Sequence, residues 1–496
     1  MAPHLLHDLL DDRIRRPTAP AVTRGDRTLR YGELRDTSLR LAGVLDSCGL
    51  RRGDRLFVTD CAHPYLPALL FAASRLGVVF TVVHEEVTGP VLRHILADCA
   101  PRLVVTGVEG TGRAAREARI RHLTLDELDD LPAGPGPATS RLPLAVDPVC
   151  LVYTSGTTAL PKAVVSTHAQ VVFAATAIGR RLGYTADDVV HCFLPLSFDY
   201  GLYQVFLCAA AGAHLHLATR AEAGPALLST LVRTGTTVLP AVPPVAAALL
   251  TLLRRRPGPR PPLRLLTNTG AAMPDATLAG LRAQLPDMRV QLMYGLTECK
   301  RVSIMEPDED LTRTGTVGRP LDGTEVFTVD ADGNRQPPGS VGEITVRGPH
   351  VMAGYWRRPE LTAERFVRRD GLFPELRTGD YGSVDEDGYL RFTGRRDDIY
   401  KQDGFRVSAV EVEAAARRVP GVTAAAVLVP DTDHPEAVLV VSGDAAPDTV
   451  LPQLRQWIEN YKVPPRCVSV DRLPASANGK TDKKTLTRWI TEESRV

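Results

Sequence analysis

The sequence has no cysteine pair at the C-x-x-C spacing and no hydrophobic run long enough to cross a bilayer. Its eight cysteines are scattered, which excludes a zinc ribbon and argues against a disulfide framework. The longest apolar stretch, residues 205–217, contains two histidines and is too short for a membrane span. Residues 1–22 include three aspartates, which do not suit a signal peptide. We therefore expect a soluble, cytoplasmic protein with no membrane partner.

The chain also lacks an excess of charge of either sign and is poor in lysine. It has 59 basic and 58 acidic residues, a formal net charge of +1, which argues against a nucleic-acid partner. Only seven of the basic residues are lysine, and the rest are arginine. A lysine inside a motif is therefore less expected by chance here than in an average protein.

Strand and helix patterns alternate along the first two thirds of the chain. Short apolar runs predict strands, and the segment 64–75 between the first two of them predicts a helix. This alternation indicates parallel βαβ units. A stretch rich in Pro and Gly at 132–139 predicts a linker loop. The predicted strands are 55–60, 78–83, 102–107, 189–196, 236–241, 263–269 and 290–294.

The pattern changes twice in the last third of the chain. From about residue 323, the alternating runs 324–329 and 341–347 predict a β-rich section built on hairpins. An α+β module follows residue 394. It is predicted from helices at 408–418 and 451–461 and from strands at 424–430 and 437–442.

A loop rich in hydroxyl side chains is the strongest local signal. The segment 153–162 leads from a strand into four hydroxyl residues, one glycine and Lys162, and we expect a helix to follow. Hydroxyls and backbone N–H groups in such a loop can bind a polyphosphate, and the lysine can neutralise it. The spacing is not that of a Walker motif. An ordinary polar turn is the alternative explanation.

Three further segments carry residues suited to nucleotide chemistry. The segment 294–298 offers an aromatic face, a glycine turn, a hydroxyl and a carboxylate, which suit a base and Mg²⁺. Asp380 could bind ribose hydroxyls, and Arg395 could reach the same nucleotide. Lys480 lies on a glycine turn near the end of the sequence. Each segment alone is also explained by a capped turn, solvated charges or an exposed lysine.

All four motifs occur in one chain and in one order, and the set resembles the adenylate-forming superfamily. This superfamily includes acyl-CoA synthetases, firefly luciferase and the adenylation domains of non-ribosomal peptide synthesis. The resemblance begins at residues 29–34 and continues through Gly342, Gly354 and Tyr355 to Lys480, so it covers nearly the whole chain. The chain is most similar to freestanding amino-acid adenylation enzymes.

The resemblance implies a mixed α/β and α+β fold with two domains. A large N-terminal adenylation core would occupy residues 1–394, with βαβ layers and a distorted β-barrel section from about 323. A small mobile α+β C-terminal domain would occupy 395–496, and its hinge would match Asp397. Lys401, Gly404 and Phe405 would lie on the side from which the thiol arrives.

The resemblance also implies a two-step reaction that uses ATP and Mg²⁺. A carboxylate attacks the α-phosphate of ATP, giving an acyl adenylate and pyrophosphate, and the acyl group then passes to a thiol. Lys480, Thr297 and Glu298 would be catalytic, and Glu298 would also hold Mg²⁺. Tyr294 would lie against adenine. The residues implied to bind ATP or AMP are Thr154, Ser155, Gly156, Thr157, Thr158, Lys162, Gly270, Tyr294, Gly295, Asp380 and Arg395.

Two departures from the family pattern bear on activity and substrate. Ala159 and Ala163 stand where the phosphate loop usually has glycine, and alanine disfavours positive φ. The histidine that acyl-CoA synthetases usually have after residue 196 is absent, and the chain has Ser197, Phe198 and Asp199 there.

Asp199 resembles the aspartate with which amino-acid adenylation domains bind the substrate amino group. A carboxylate in a pocket needs a cation, because an unpaired buried charge is costly. The alternative is that Asp199 caps a helix that begins near residue 201. The implied pocket residues are Asp199, Tyr200, Tyr203, Ala241, Thr267, Thr269, Met293, Arg301 and Val302.

The bulk of Tyr200, Tyr203, Met293 and Arg301 favours a small amino acid. Two alternatives stay open: Arg301 pairs with a second carboxylate of an aspartate-like substrate, or an aromatic amino acid lies between the tyrosines. We predict an enzyme that adenylates an amino acid and loads it onto a separate carrier protein. The alternatives are an acyl- or aryl-CoA synthetase using free coenzyme A, an adenylate-forming enzyme with a nitrogen nucleophile, and a non-catalytic binding protein.

Overall fold

The computed structural model describes most of the chain in two compact units. The first unit comprises Met1–Thr314, Gly318–Glu325 and Val346–Leu376, and the second comprises the remaining residues. Within the described ranges no helix is both long and apolar enough to cross a membrane. The described ranges are 3–11, 16–60, 63–134, 142–154, 160–218, 220–369, 373–395, 398–402, 405–430, 436–458, 460–475 and 481–493.

Helices and strands alternate along the first unit, and strands dominate the beginning of the second. The helices are α1 (Asp8–Asp11), α2 (Tyr31–Ser47), α3 (Leu66–Leu76), α4 (Gly89–Cys99), α5 (Glu109–Glu117), α6 (Leu125–Asp129), α7 (His168–Leu182), α8 (Asp199–Ala211), α9 (Leu227–Arg233), α10 (Pro243–Arg255), α11 (Asp275–Gln284), α12 (Pro359–Arg365), α13 (Ala409–Ala416), α14 (Pro447–Leu454) and α15 (Lys483–Glu493). The strands are β1 (Pro20–Arg24), β2 (Arg27–Arg30), β3 (Arg55–Asp60), β4 (Val79–His84), β5 (Leu103–Val105), β6 (Arg121–Leu123), β7 (Pro148–Thr154), β8 (Lys162–Thr167), β9 (Val189–Cys192), β10 (His214–Leu217), β11 (Val238–Pro240), β12 (Leu265–Asn268), β13 (Arg289–Tyr294), β14 (Ser303–Ile304), β15 (Arg319–Pro320), β16 (Glu325–Val329), β17 (Gly342–Arg347), β18 (Gly354–Tyr355), β19 (Phe366–Val367), β20 (Glu375–Val384), β21 (Leu390–Arg395), β22 (Ile399–Gln402), β23 (Phe405–Ser408), β24 (Val422–Leu428), β25 (Val438–Gly443) and β26 (Arg466–Ser469).

Two sheets form the framework of the first unit. One has nine strands in the order β15-β14-β13-β12-β11-β9-β10-β1-β2, and its strands from β13 to β1 are parallel. The other has seven strands in the order β18-β8-β7-β4-β3-β5-β6. A continuous buried cluster contains apolar side chains of both sheets and of α2, α3, α7 and α8. Strands covered on both faces need continuous apolar runs, as the wholly buried β4 shows.

The second unit consists of antiparallel hairpins followed by a small mixed module. Strands β16, β17, β20 and β21 are neighbours in one sheet, and β22 pairs with β23. Strands β24, β25 and β26 form a three-stranded sheet, whose residues pack against α13 and α14 on one face and α15 on the other. These features confirm the predicted mixed α/β and α+β fold class. The boundary proposed at residues 394 and 395 stays a prediction.

Two predicted helices differ from the structure. The segment after the loop at 153–162 is strand β8, which pairs antiparallel with β7, and the helix begins only at His168. The true helix signal is the capping box of Thr167 and Gln170, which follows a short β-branched strand. The helix predicted at 451–461 is instead α14, which starts at Pro447 and ends at Leu454. Proline is well suited to the first turn of a helix, so Pro447 marks the start.

The buried carboxylate of Asp188 accepts hydrogen bonds that connect the starts of three strands, which lead to the candidate site. Asp188 precedes β9, and its side chain accepts hydrogen bonds from Thr237 Oγ1 at 2.8 Å and from Arg264 Nε and Nη2 at 2.7 and 2.6 Å. Thr237 and Arg264 precede β11 and β12. Burial by itself would raise the pKa of Asp188, but the hydrogen bonds from Arg264, the Thr185 N–H and Thr237 outweigh burial and lower the pKa.

Asp188→Asn should lower the free energy of unfolding by about 2 kcal/mol at pH 7. This is below the cost of breaking a fully buried pair, because Arg264 keeps contact with water. A lowered carboxyl pKa stabilises the fold above the unfolded-state pKa of about 3.9, and that contribution is lost as pH falls through the folded-state pKa. The difference between wild type and variant, measured by urea unfolding, should therefore shrink at pH 3. Asp187→Asn, at an exposed neighbouring position, is the control and should change little.

Candidate functional site

The loop expected to bind phosphate is flanked by two paired residues. Thr154 ends β7 and Lys162 begins β8, and the two lie opposite each other in the antiparallel pair. Thr154 Oγ1 is 3.4 Å from the carbonyl oxygen of Lys162. The hairpin therefore fixes both ends of the loop. Its residues Ser155, Gly156, Thr157, Thr158 and Ala159 lie outside the described residues.

A tight turn after β13 carries most of the second motif. The N–H groups of Cys299 and Lys300 both donate to the Leu296 carbonyl, at 3.1 and 2.7 Å. Lys300 has φ +66°, a left-handed conformation that is uncommon outside glycine. A Cβ added at Gly295 would lie 2.2 Å from the Lys300 carbonyl oxygen. Glycine is therefore required for this turn to close. Tyr294 and Thr297 are half-buried at its start and middle.

Tyr355, on β18, connects the turn to Lys162, which follows the loop expected to bind phosphate. Its hydroxyl donates to Glu298 Oε1 at 2.6 Å, and Lys162 Nζ lies 4.2 Å from the centroid of its ring. Glu298 is buried. Burial lowers the pKa of Lys162, and the negative charge of Glu298 partly opposes this shift. Burial and the neighbouring Glu298 raise the pKa of the Tyr355 hydroxyl, which therefore stays protonated and acts as a donor.

The chemistry of the site fits magnesium that enters with a nucleotide. Within the described residues, no group of three or more His, Cys, Asp or Glu side chains could hold a metal ion alone. Mg²⁺ is usually bound by one or two carboxylates together with substrate phosphates. Glu298 could supply one such carboxylate, since the hydrogen bond from Tyr355 uses only Oε1.

Helix α8 begins at Asp199, where the sequence predicted recognition of an amino group. Phe198 occupies the N-cap position and makes no side-chain capping bond. The alternative explanation, in which Asp199 caps a helix starting near 201, is therefore wrong. Asp199 Oδ2 lies 3.7 Å from Arg301 Nη1, and both side chains are largely buried. The pocket aspartate thus already faces a cation of the chain itself.

Two neighbouring cations lie against the tyrosines of α8. The Arg301 guanidinium is 5.0 Å from the Tyr200 ring centroid, and Lys300 Nζ is 5.7 Å from that of Tyr203. Lys300 is fully buried. Among the described residues neither Lys300 Nζ nor the Tyr203 hydroxyl has a hydrogen-bond partner. Lys300 is not among the pocket residues implied by the sequence, although lysine is so rare in this chain that its position next to the motif was a usable signal.

The remaining predicted pocket residues lie on the ends of β11, β12 and β13. The Tyr200 hydroxyl donates to the Thr267 carbonyl at 2.8 Å, and the Ala241 N–H donates to the same oxygen at 2.9 Å. Burial raises the pKa of Tyr200, so it remains a neutral phenol. Thr269, Met293 and Val302 are buried near these strand ends, and Gly270 follows with φ +87°. The structure thus brings Asp199, Tyr200, Tyr203, Thr267 and Arg301 into a connected set, whose roles stay predictions.

Two cysteines lie beside this set and are inaccessible. Cys299 follows Glu298 in the turn, and Cys150 lies on β7. Both thiols are buried, and burial is the main cause that raises the pKa of each. Neither side chain is therefore available as a thiolate near neutral pH.

The residues predicted to bind ribose lie in the second unit. Asp380 is buried and pairs in register with Arg395, whose Nε lies 3.4 Å from Asp380 Oδ1. Lys401 and Phe405 lie on strands β22 and β23 of one hairpin. The hinge residue Asp397, the thiol-side Gly404 and the catalytic candidate Lys480 lie outside the described residues. The roles of all these residues stay predictions.

Comparison with known proteins identifies the class. Residues 11–356 match the model of the AMP-binding enzyme family, and residues 411–480 match that of the AMP-binding enzyme C-terminal domain. The chain therefore belongs to the AMP-binding enzyme family. It is an adenylate-forming enzyme that uses ATP with Mg²⁺, as the resemblance implied.

Three similar proteins show how closely the chain resembles known proteins. A feruloyl-CoA synthase from Amycolatopsis sp is 33% identical over 95% of this chain and 96% of its own length. VinN, solved in complex with L-aspartate, is 40% identical with a TM-score of 0.72, over 79% of this chain and 98% of that one. ATP-bound MatB from Rhodopseudomonas palustris is 28% identical with a TM-score of 0.86, over 98% of both chains.

Gly295→Ala should reduce ATP–pyrophosphate exchange by about a hundredfold, because the turn must open to admit a Cβ and so displaces the residues that follow. Exchange measured at saturating substrates, alongside the melting temperature, separates this effect from unfolding. Gly107→Ala is the matched control, since its added Cβ would meet open space. Wild-type exchange in Gly295→Ala would mean that the turn does not position reacting groups.

Proposed function

We propose that this enzyme adenylates an amino acid that carries a second carboxylate and transfers it to the phosphopantetheine thiol of a carrier protein. The observation that carries the substrate proposal is the set of charges at the start of α8. One carboxylate, Asp199, and two cations, Lys300 and Arg301, are largely buried there.

The charges of this set do not balance without a ligand. Asp199 and Arg301 face each other, and Lys300 has no anionic partner among the described residues. An isolated buried ammonium is costly unless it is paired. A substrate with one ammonium and two carboxylates carries a net charge of −1, which would compensate the single excess positive charge of the set. Its ammonium would pair with Asp199, and its second carboxylate would pair with Lys300 and Arg301.

The same contacts disfavour the other two pocket alternatives. A small neutral amino acid would supply no anion for Lys300 beyond its reacting carboxylate. An aromatic substrate between the tyrosines would displace cations from the rings of Tyr200 and Tyr203, and the Tyr200 hydroxyl is already bonded to Thr267. The similarity to VinN, which was solved with L-aspartate, supports the dicarboxylic substrate.

The nucleotide half of the reaction needs positive charge and close positioning, because both reactants are anions. A carboxylate oxygen bonds to the α-phosphorus of ATP, the bond to the bridging oxygen breaks, and pyrophosphate leaves. We assign Lys162 and the loop after Thr154 to the phosphates and Tyr294 to the base. Glu298 would hold Mg²⁺, which neutralises phosphate charge. Lys480 would bridge carboxylate and phosphate in the adenylation step.

The acceptor of the acyl group has two candidates. Recognition of a substrate ammonium by Asp199 resembles amino-acid adenylation domains and favours a carrier-protein thiol. The similarity to feruloyl-CoA synthase favours free coenzyme A as the second candidate. We propose a carrier protein as the acceptor, because the charges of Asp199, Lys300 and Arg301 suit an amino acid rather than an aryl acid.

Pyrophosphate exchange with L-aspartate should exceed exchange with succinate, L-alanine and β-alanine by at least about a hundredfold. Succinate lacks the ammonium, L-alanine lacks the side-chain carboxylate, and β-alanine lacks the α-carboxylate. A site built to bind a polar group rejects analogues that lack it. Lys300→Met should lower kcat/KM for L-aspartate and reduce discrimination against the monocarboxylic acids. Asp199→Asn should reduce discrimination against succinate.

Lys462→Met is the control for removing a partly buried lysine, since Lys462 pairs with Glu411 outside this site. The dicarboxylic proposal is wrong if wild type prefers L-alanine or β-alanine. It is also wrong if Lys300→Met slows all four acids equally, because that pattern would indicate a general structural role.

Thioester formation should be at least about a hundredfold faster with a phosphopantetheinylated carrier protein than with coenzyme A, if protein contacts help to position the thiol. The measurement uses L-aspartate, ATP and each acceptor in separate reactions, with products resolved by mass spectrometry. The carrier protein without its phosphopantetheine arm is the control. A faster reaction with coenzyme A would favour the CoA-ligase alternative.

A further inference from the structure

Tyr355 contacts two side chains of opposite charge. Its ring lies under the Lys162 ammonium, and its hydroxyl binds Glu298. In the part of the chain that the structure describes, Lys162 and Glu298 make no ion pair with each other. The two groups are close enough for the charge of Glu298 to act on Lys162.

Backbone contacts hold all three residues in place. Tyr355 pairs with Val164 on β8, so its side chain can reach the face of the strand on which Lys162, two residues away, also lies. The N–H of Met352 donates to the Glu298 carbonyl at 2.9 Å. The Tyr355 N–H binds Thr362 Oγ1 at 2.9 Å. Arg365, on α12, also interacts with the Tyr355 hydroxyl.

We infer that Tyr355 is a positioning residue that keeps Lys162 available for phosphate and one oxygen of Glu298 available for Mg²⁺. This inference rests on the proposed assignment of Lys162 and Glu298 to the nucleotide. A lysine and a glutamate in a partly buried site attract each other strongly, and a direct ion pair would use the charges needed by the ligand. The aromatic ring instead stabilises the ammonium weakly, so phosphate can displace it. The hydroxyl orients the carboxylate without neutralising it.

If Tyr355 acts as a spacer that keeps Lys162 and Glu298 apart, two substitutions of Tyr355 should have different effects. Tyr355→Phe keeps the ring but loses the hydrogen bond to Glu298, so the Mg²⁺ concentration for half-maximal exchange should rise about tenfold. Binding of ATP in EDTA, measured by calorimetry, should stay within about twofold of wild type. Tyr355→Leu removes the ring and lets Lys162 reach Glu298. Mg²⁺-free ATP affinity should then fall about tenfold or more.

A double variant distinguishes a spacer from a purely structural residue. Glu298→Gln in the Tyr355→Leu background removes the carboxylate that captures Lys162, so Mg²⁺-free ATP affinity should recover. A structural role predicts no recovery, and that result would overturn the inference, as would unchanged ATP affinity in Tyr355→Leu. Tyr184→Phe is the control, because it removes the hydrogen bond of a buried tyrosine hydroxyl elsewhere in the first unit.

The nucleotide assignment itself is tested separately by Lys162→Met. If this variant binds Mg²⁺-free ATP as wild type does, Lys162 does not bind the phosphates, and both the assignment and the spacer role are wrong. A second outcome is that Lys162→Met loses affinity for Mg²⁺-free ATP while the Tyr355 variants and the double variant fail to give the results stated above. In that case only the spacer role of Tyr355 is wrong. Melting temperatures of all variants verify that each one is folded.

Discussion

Charged side chains held in fixed positions before a ligand arrives are the constraint on which this site depends. Tyr355 contacts Lys162 through its ring and Glu298 through its hydroxyl. Asp199 and Arg301 face each other at 3.7 Å, with Lys300 buried next to them in the chain. Electrostatic catalysis requires charges that are already oriented before the substrate arrives. In both places the backbone and the neighbouring side chains fix where these charges lie.

One short turn serves both halves of the reaction that we propose. Glu298 extends from it towards Tyr355, whereas Lys300 and Arg301 extend towards the tyrosines of α8. The left-handed conformation of Lys300 and the close approach of Gly295 to its carbonyl oxygen reverse the chain within a few residues. Neighbouring side chains can therefore point into different parts of the site. This geometry links the position of Glu298, which we propose binds Mg²⁺, to the positions of Lys300 and Arg301.

The sequence was sufficient where local patterns decide the structure. Strand β3 occupies the predicted residues 55–60, and β13 ends at Tyr294, where the motif begins. The sequence was not sufficient where contacts between residues far apart in the chain decide the structure. The segment after the phosphate loop became a strand because it pairs with β7, and the bond between Tyr355 and Glu298 joins residues 57 positions apart. The importance of Lys300 depends on its burial, which no local pattern shows.

The burial of the Cys299 and Cys150 thiols bears on side reactions of the enzyme with its acyl adenylate. An acyl adenylate is a strong acylating agent, and a thiolate of the enzyme near it would capture the activated group before the proper acceptor arrived. Cys299 directly follows Glu298, yet burial raises its pKa and keeps it protonated. Since reactivity towards acyl groups belongs to the thiolate, the interior offers no competing acceptor at Cys299 or Cys150. Burial therefore leaves these two sulfurs poorly suited to react with an acyl adenylate.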